Sequence, residues 1–376
     1  MGCFGVARLA LQKHDEGLLT AGAFDLDGLI DKEIVYRSSF TCKSCDNLCD
    51  IPRLEVGGKR YPFGGRCSLY TNKRKKRRVA KDATDYSELR TRMLFEEFAP
   101  NPSTLVPRSP KVVGVPLAFS VHSVWPIYAW FFHSLGVRTV LSDKIVAEGI
   151  AKQESNYCFP AEIAHGAVQD VIDQGVDYLF LPQFRDMPSH EAGNVHACLC
   201  PLTQGLPFFS RHAFGLDDSQ VLRPLVTFKH GWDSCQHEFE DVARKLGFTK
   251  QEGAAAFKKG LREYQHFLEA YAEAGRELLQ EIKDHPDRIY VALLGRPYNA
   301  FTRDANMGIP RKITSQGVSV VPYDMIYQPD DEIFPNMYWY YGQQDMKAVR
   351  QVKKIDNLYL TWVSNFSCAP DSFMLH

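Results

Sequence analysis

From Lys111 onward the apolar positions switch between two periods, and each switch marks an element. "KVVGVPLAF" is an apolar run of strand length, "SVWPIYAWFFHSLG" spaces its apolar residues as a helix and closes on Gly136, and "VRTVLS" is a second strand. "FPAEIAHGAVQDVIDQG" and "VDYLFLP" repeat the helix–strand step. Strands separated by helices over short connections predict a parallel sheet covered by helices. From Ser234 the pattern becomes helical alone, with "AAAFKKGLREYQHFLEAYAEAGRELLQEI" keeping apolar residues three and four apart. "RIYVALLG", "GIPRKITSQG", "VSVVPYD", a helix through "YWYYGQQDMKAVRQVKKI" and "NLYLTWVS" predict a second alternating unit.

The residues before Pro110 lack this grammar. They are poor in alternating strands, hold a cysteine-rich stretch, predict a helix from about Ser87, and end in the Pro- and Ser-rich linker "PNPSTLVPRSP". The predicted organisation is therefore a Cys-rich leader and linker over 1–110, a first α/β lobe over 111–233, a helical insertion over 234–284 and a second α/β lobe over 285–376. The fold class is α/β, with two parallel-sheet lobes of the flavodoxin or Rossmann kind and an irregular N-terminal segment. Two such lobes leave a cleft at the carboxyl ends of their strands, where open sheets bind ligands. The closing "NFSCAPDSFMLH" opens a helix of barely two turns, which reads as a segment of a longer polypeptide.

Composition narrows the partners. A formal net charge of −1 gives no reason to expect nucleic acid or a membrane surface, and the basic run Lys73–Arg78 has no interleaved aromatics, so it reads as a solvated face. No apolar run reaches the roughly 20 residues of a membrane span, and "MGCFGVARLALQ" lacks a basic start and a cleavage site. A cytoplasmic protein is expected. In a reducing compartment, clustered cysteines serve metal or catalysis more often than disulfides.

Two cysteine sets stand out among the ten cysteines. Cys42, Cys45 and Cys49 form a CxxCxxxC run, and Cys67 follows after the paired glycines of "EVGGKRYPFGGRC". Close spacing lets three thiolates converge from one loop and a distant fourth close the set, which suits either zinc or an iron–sulfur cluster. Cys158, Cys200 and Cys368 are dispersed, but each has a proline within two residues, and two of them precede predicted helices. A cysteine at such a cap meets free N–H groups that favour thiolate. If the lobes are pseudosymmetric, Cys158 and Cys368 are equivalent strand-end positions facing one cleft, with Cys200 joining from a loop. Three thiolates would leave one iron of a 4Fe-4S cluster open. Ordinary buried cysteines are the plain alternative. Cys3, Cys198 and Cys235 join neither set.

Other polar candidates are Glu154, His165, Asp324 and Asp371 near the cleft rim, where a lone carboxylate or histidine is more often a helix cap or a structural hydrogen bond. "GRPYNAFTRDANMGIP", with Arg296, is either an anion cradle or a strand-to-helix loop. No phosphate-binding glycine motif occurs, so ATP binding within this chain is not expected.

Together "CKSCDNLCDI", "FGGRCSLY", "SNYCFPAEIAHG", "LLGRPYNAFTRDANMGIP" and "YLTWVSNFSCAPDSF" resemble the 2-hydroxyacyl-CoA dehydratase activase-related family, the CoA enzyme activases. The resemblance covers nearly the whole chain. It implies a dehydratase-like region with two lobes holding a 4Fe-4S cluster through Cys158, Cys200 and Cys368, and an actin-like ATPase activase, upstream or separate, that drives low-potential electrons into it. A thioester, such as an acyl-CoA, or another small molecule would be reduced. "MGCFGVARLA" looks like the last helix of that ATPase part. Ser367 and Ala369 stand where the family pattern leads us to expect glycine, and Cys3 and Arg8 where small or apolar residues are usual. The Cys42, Cys45, Cys49 and Cys67 group would hold a second cluster or zinc. A different class also fits: a non-catalytic, zinc-stabilised module that docks or regulates a dehydratase or its activase.

Overall fold

The computed structural model describes residues 2–19, 28, 32–43, 48–67, 69–74, 83–155, 157–188, 197–326, 334–365 and 367–374. Contacts divide the chain into Met1–Gly65 with Leu69–Arg77, and Arg66–Ser68 with Arg78–His376.

The first unit holds helix α1 (Gly2–Asp15), strands β1 (Ile34–Thr41), β2 (Asp50–Val56) and β3 (Lys59–Pro62), and helix α2 (Leu69–Arg74). The strands form an antiparallel sheet in the order β1-β2-β3. Few of their side chains are buried, Ile51 being one. A sheet without a buried face has no reason to alternate apolar with polar residues, which is why this segment carries no strand pattern.

The second unit begins with α3 (Tyr86–Arg92), whose N-cap Asp85 accepts a hydrogen bond from Ser87 N at 3.0 Å. Then follow β4 (Val112–Val115), α4 (Val121–Ser134), β5 (Arg138–Leu141), α5 (Ala147–Ile150), α6 (Phe159–Asp173), β6 (Tyr178–Phe180), β7 (Gln183–Asp186), α7 (Pro201–Phe214), β8 (Val221–Leu222) and β9 (Leu225–Thr227). β4, β5, β6 and β8 make a parallel sheet in the order β5-β4-β6-β8, and β7 pairs with β9 in a small parallel sheet of its own. Gly114 lets α6 approach β4: a Cβ there would stand 2.0 Å from Val171 Cγ1.

The insertion is two helices, α8 (Gln236–Lys245) and the long α9 (Lys250–Asp284). Thr249 and Glu252 form a reciprocal capping box that starts α9. The second lobe comprises β10 (Tyr290–Leu294), the short helices α10 (Pro297–Ala300), α11 (Arg303–Asn306) and α12 (Ile309–Thr314), β11 (Ser319–Pro322), α13 (Tyr340–Val352), β12 (Leu358–Trp362) and α14 (Ala369–Met374). Its sheet is parallel in the order β11-β10-β12. One hydrophobic core runs through both lobes and α9, from Val113 and Phe180 through Phe257 to Leu293 and Val363. The architecture is the mixed α/β fold with parallel sheets that the alternation predicts.

Candidate functional site

In both lobes the first strand lies between the second and third, so the chain reverses direction across each sheet at β4/β6 and at β10/β12. The crevice outside the carboxyl ends at such a reversal is where doubly wound sheets place ligands. Cys158 is the N-cap of α6, and Cys200 is the N-cap of α7 with Pro201 opening the helix. Cys368 directly precedes α14, and its Sγ accepts from Asp371 N at 3.5 Å.

The expected equivalence of Cys158 and Cys368 is corrected by topology. Cys158 starts the helix between the second and third strands of its lobe, whereas Cys368 starts the helix after the third strand. The counterpart of Cys368 is Cys200, which caps a helix rather than lying on a loop. The counterpart of Cys158 in the second lobe is Trp339, the N-cap of α13.

Arg296 is the group these cysteines share. It follows β10 and is 5% exposed, and it acts electrostatically on Cys158 and Cys368 and interacts with Cys200. Its Nη2 donates to Asp371 Oδ2 at 2.8 Å, and the Ser364 hydroxyl donates to the same oxygen at 2.6 Å. Arg296 Nε and Asp371 Oδ1 are buried without hydrogen-bond partners. The guanidinium carbon lies 5.5 Å from the centre of the Tyr298 ring. Gly295 supplies the turn that brings Arg296 in: its φ is +123°, and a Cβ would meet Val363 O at 2.4 Å. Its N–H donates to Asp345 Oδ1 at 3.0 Å.

Aromatic rings wall the cleft. Phe119, after β4, meets Tyr298, after β10, edge to face at 5.2 Å. Phe119 has φ of 45°, a left-handed backbone that a bulky residue adopts only under strain. Tyr341 shares a 2.7 Å hydrogen bond with Ser123. Cys200, Arg296, Trp339, Tyr341, Asp371 and Met374 line a hollow that Cys198 also reaches.

Burial sets the protonation of the thiols. It raises Cys158, with Cys200 adding to the effect while the Ala161 N–H and Arg296 oppose it. Cys368 is pushed up to about 12 by burial, against Arg296. Both are therefore neutral thiols at pH 7 until a metal displaces their protons. Burial likewise drives Asp345 well above the usual carboxyl range. For Arg296 burial opposes the charge, but Tyr298, Asp371, Cys368 and Cys200 raise its pKa nonetheless.

Cys158, Cys200 and Cys368 offer sulfur, the donor type that an iron–sulfur cluster takes. Among the described residues no three His, Cys, Asp or Glu side chains are grouped to hold one metal ion. A thiolate-held cluster would be anionic, and a buried guanidinium with an unpartnered Nε would suit such a group.

The remaining candidates have local explanations. Glu154 pairs with exposed His212 at 3.3 Å. His165 Nδ1 bonds Ala161 O at 2.8 Å and its ring stacks on Phe209. Asp324 is bound by Arg90 Nε at 2.7 Å. Cys235 is fully buried in the core and is pushed up to about 12 by that burial. Of the leader set, Cys42 N donates to Cys49 O at 2.8 Å, Cys45 lies outside the described residues, and Cys67 belongs to the other unit. Sequence reasoning singles out the Arg296 loop and Asp371 separately. It misses their pairing and the Phe119–Tyr298 wall, which join residues far apart in the chain.

The model of the CoA enzyme activase uncharacterised domain family matches residues 112–326. No curated protein matches the sequence. Among solved structures, the chain is similar to the C-terminal domain of glucosamine-fructose-6-phosphate aminotransferase from Francisella tularensis, at 10% identity over 77% of this chain and 90% of that one, with a TM-score of 0.20. Among the described residues no helix is long and apolar enough to cross a membrane.

Proposed function

The chain belongs to the CoA enzyme activase uncharacterised domain family, and from that premise and the thiol cleft we propose an iron–sulfur protein region working in ATP-driven, low-potential electron transfer or reduction, similar to 2-hydroxyacyl-CoA dehydratase and its activase. What supports this is that Cys158, Cys200 and Cys368 each stand at the start of a helix, that each interacts electrostatically with the buried Arg296, and that Arg296 lines one hollow with Cys200. When bound there, a 4Fe-4S cluster supplies a one-electron carrier, and three protein thiolates leave one of its positions to a substrate, water or sulfide. The chain's own residues have defined tasks. The three cysteines give up their protons and hold the group, Arg296 offsets their charge, and Phe119, Tyr298 and Tyr341 exclude bulk water. The electron source is an actin-like ATPase activase, and the acceptor a small molecule such as an acyl-CoA. Cys42, Cys45, Cys49 and Cys67 are proposed to hold a second iron–sulfur cluster or a zinc ion.

Anaerobic purification with iron and acid-labile sulfide analysis tests the reading. We expect broad visible absorption with both elements present, and loss of one cluster's worth of iron in the Cys158→Ala, Cys368→Ala variant. Colourless protein carrying one zinc and no sulfide would instead favour a zinc-stabilised docking or regulatory module. Iron content unaffected by the double substitution would remove the cluster from the cleft.

A further inference from the structure

We propose that Arg296 and Asp371 form a charge-setting pair for the cleft, fixing how readily the thiolate-held group accepts an electron. The inference rests on the assignment of Cys158, Cys200 and Cys368 as ligands, and adds a positioning role for two residues outside that ligand set. A buried arginine is costly unless paired. This pair is unfinished on both sides. Arg296 spends Nη2 on Asp371 and leaves Nε without a partner, while Asp371 accepts from Arg296 and Ser364 on Oδ2 and leaves Oδ1 without one. Asp371 is completely buried and Arg296 nearly so, so solvent screens their fields little.

Their placement relative to the sulfurs makes the field useful. Asp371 lies one helical turn from Cys368, with its N–H on that sulfur. Arg296 interacts with thiols contributed by both lobes. Burial holds the nearby Asp345 carboxyl well above the usual carboxyl range, and its Oδ1 is taken by Gly295 N. Arg296 and Asp371 are the two members of one ion pair, of opposite sign, beside the same thiols. A cation beside a redox centre stabilises its reduced, more negative form, and an anion does the reverse. Removing either partner should therefore move the midpoint potential in opposite directions, which a merely structural role would not do.

The test is an EPR-monitored redox titration of the full chain reconstituted anaerobically with ferrous iron and sulfide, with metal content measured on the same samples. Arg296→Met is expected to lower the midpoint, Asp371→Asn to raise it, and Arg296→Lys, which keeps the charge, to stay near the parent value. If Arg296→Met fails to fold, the test rests on Asp371→Asn raising the midpoint while Arg296→Lys leaves it near the parent value, and a midpoint that Asp371→Asn does not raise overturns the proposal. Midpoints that do not move, or that move the same way for both charge removals while iron is retained, overturn the proposal and leave the ligand assignment intact. A parent protein that takes up no iron and sulfide overturns the assignment, and this inference with it.

Discussion

Substituting Asp324 by asparagine keeps the side chain's shape and removes one charge from a buried ion pair. Arg90 Nε donates to Asp324 Oδ2 at 2.7 Å, with the two side chains 6% and 16% exposed. The pair ties α3 to the turn after β11, and Tyr271 from α9 adds a 2.7 Å hydrogen bond to Oδ1. Leaving one member of such a pair buried and alone costs about 3–5 kcal/mol. Two contacts of Arg90 survive the change: Nη1 to the His122 carbonyl at 3.1 Å, and the guanidinium over the Phe301 ring at 4.8 Å. The loss therefore falls at the lower end, about 3 kcal/mol. Urea unfolding followed by tryptophan fluorescence reads it, since Trp125 and Trp130 lie on the neighbouring α4, and at the large m-value of a chain this size the midpoint should fall by roughly 0.5–1 M. Arg90→Met with Asp324→Leu removes both charges and should recover most of the loss. A single variant within about 0.5 kcal/mol of the parent, or a double variant as unstable as the single, would refute the reasoning.

The same region gives a pH dependence. Burial holds His122 down to about 4, with Arg90 acting in the same direction and the Leu117 backbone against it. The unfolded chain's histidine titrates near 6.5, so the stabilisation is complete above that value and is lost as pH falls from there through about 4. A displacement of that size is worth about 3 kcal/mol, and His122→Asn should flatten the wild-type slope between about pH 7 and pH 4 in thermal melts. At Gly260 a Cβ would stand 2.4 Å from Ile127 O, so Gly260→Ala should destabilise by about 2 kcal/mol, whereas Gly205→Ala, whose nearest neighbour is Phe209 at 3.5 Å, should be neutral or gain up to about 1 kcal/mol. Ser367 has φ of 66°, a backbone that costs a non-glycine residue about 1 kcal/mol, so Ser367→Gly should raise the unfolding midpoint and Ser367→Ala should not.

What can be read in the sequence follows from burial. β4, β6, β10 and β11 announce themselves because strands buried on both faces are continuous apolar runs, and α9 does so through a capping box and a long apolar stripe. β1 to β3 stay hidden because exposed strands need no alternation. α7 is disguised by Gly205 and Pro207 within it, which is why the sequence alone presents Cys200 as a loop residue. β7 and β9 are too short, at 4 and 3 residues, to carry a period. Ser367 shows the reverse case: a glycine expected from a family pattern marks a left-handed backbone that the structure retains with serine in its place.

The corrected correspondence between the lobes changes what the cleft is. With Cys200 and Cys368 equivalent, and Trp339 standing where Cys158 has its counterpart, the first lobe contributes two thiols and the second contributes one. The second lobe also contributes both full charges, Arg296 and Asp371. A symmetric pair of lobes would place like groups on either side. Here one side is rich in sulfur and the other in charge, so under the proposed cluster the holding of the group and its electrostatic tuning would be divided between lobes that share one core. If the cluster proposal holds, substitutions at the three cysteines should change how much metal is held, while substitutions at Arg296 or Asp371 should change its potential.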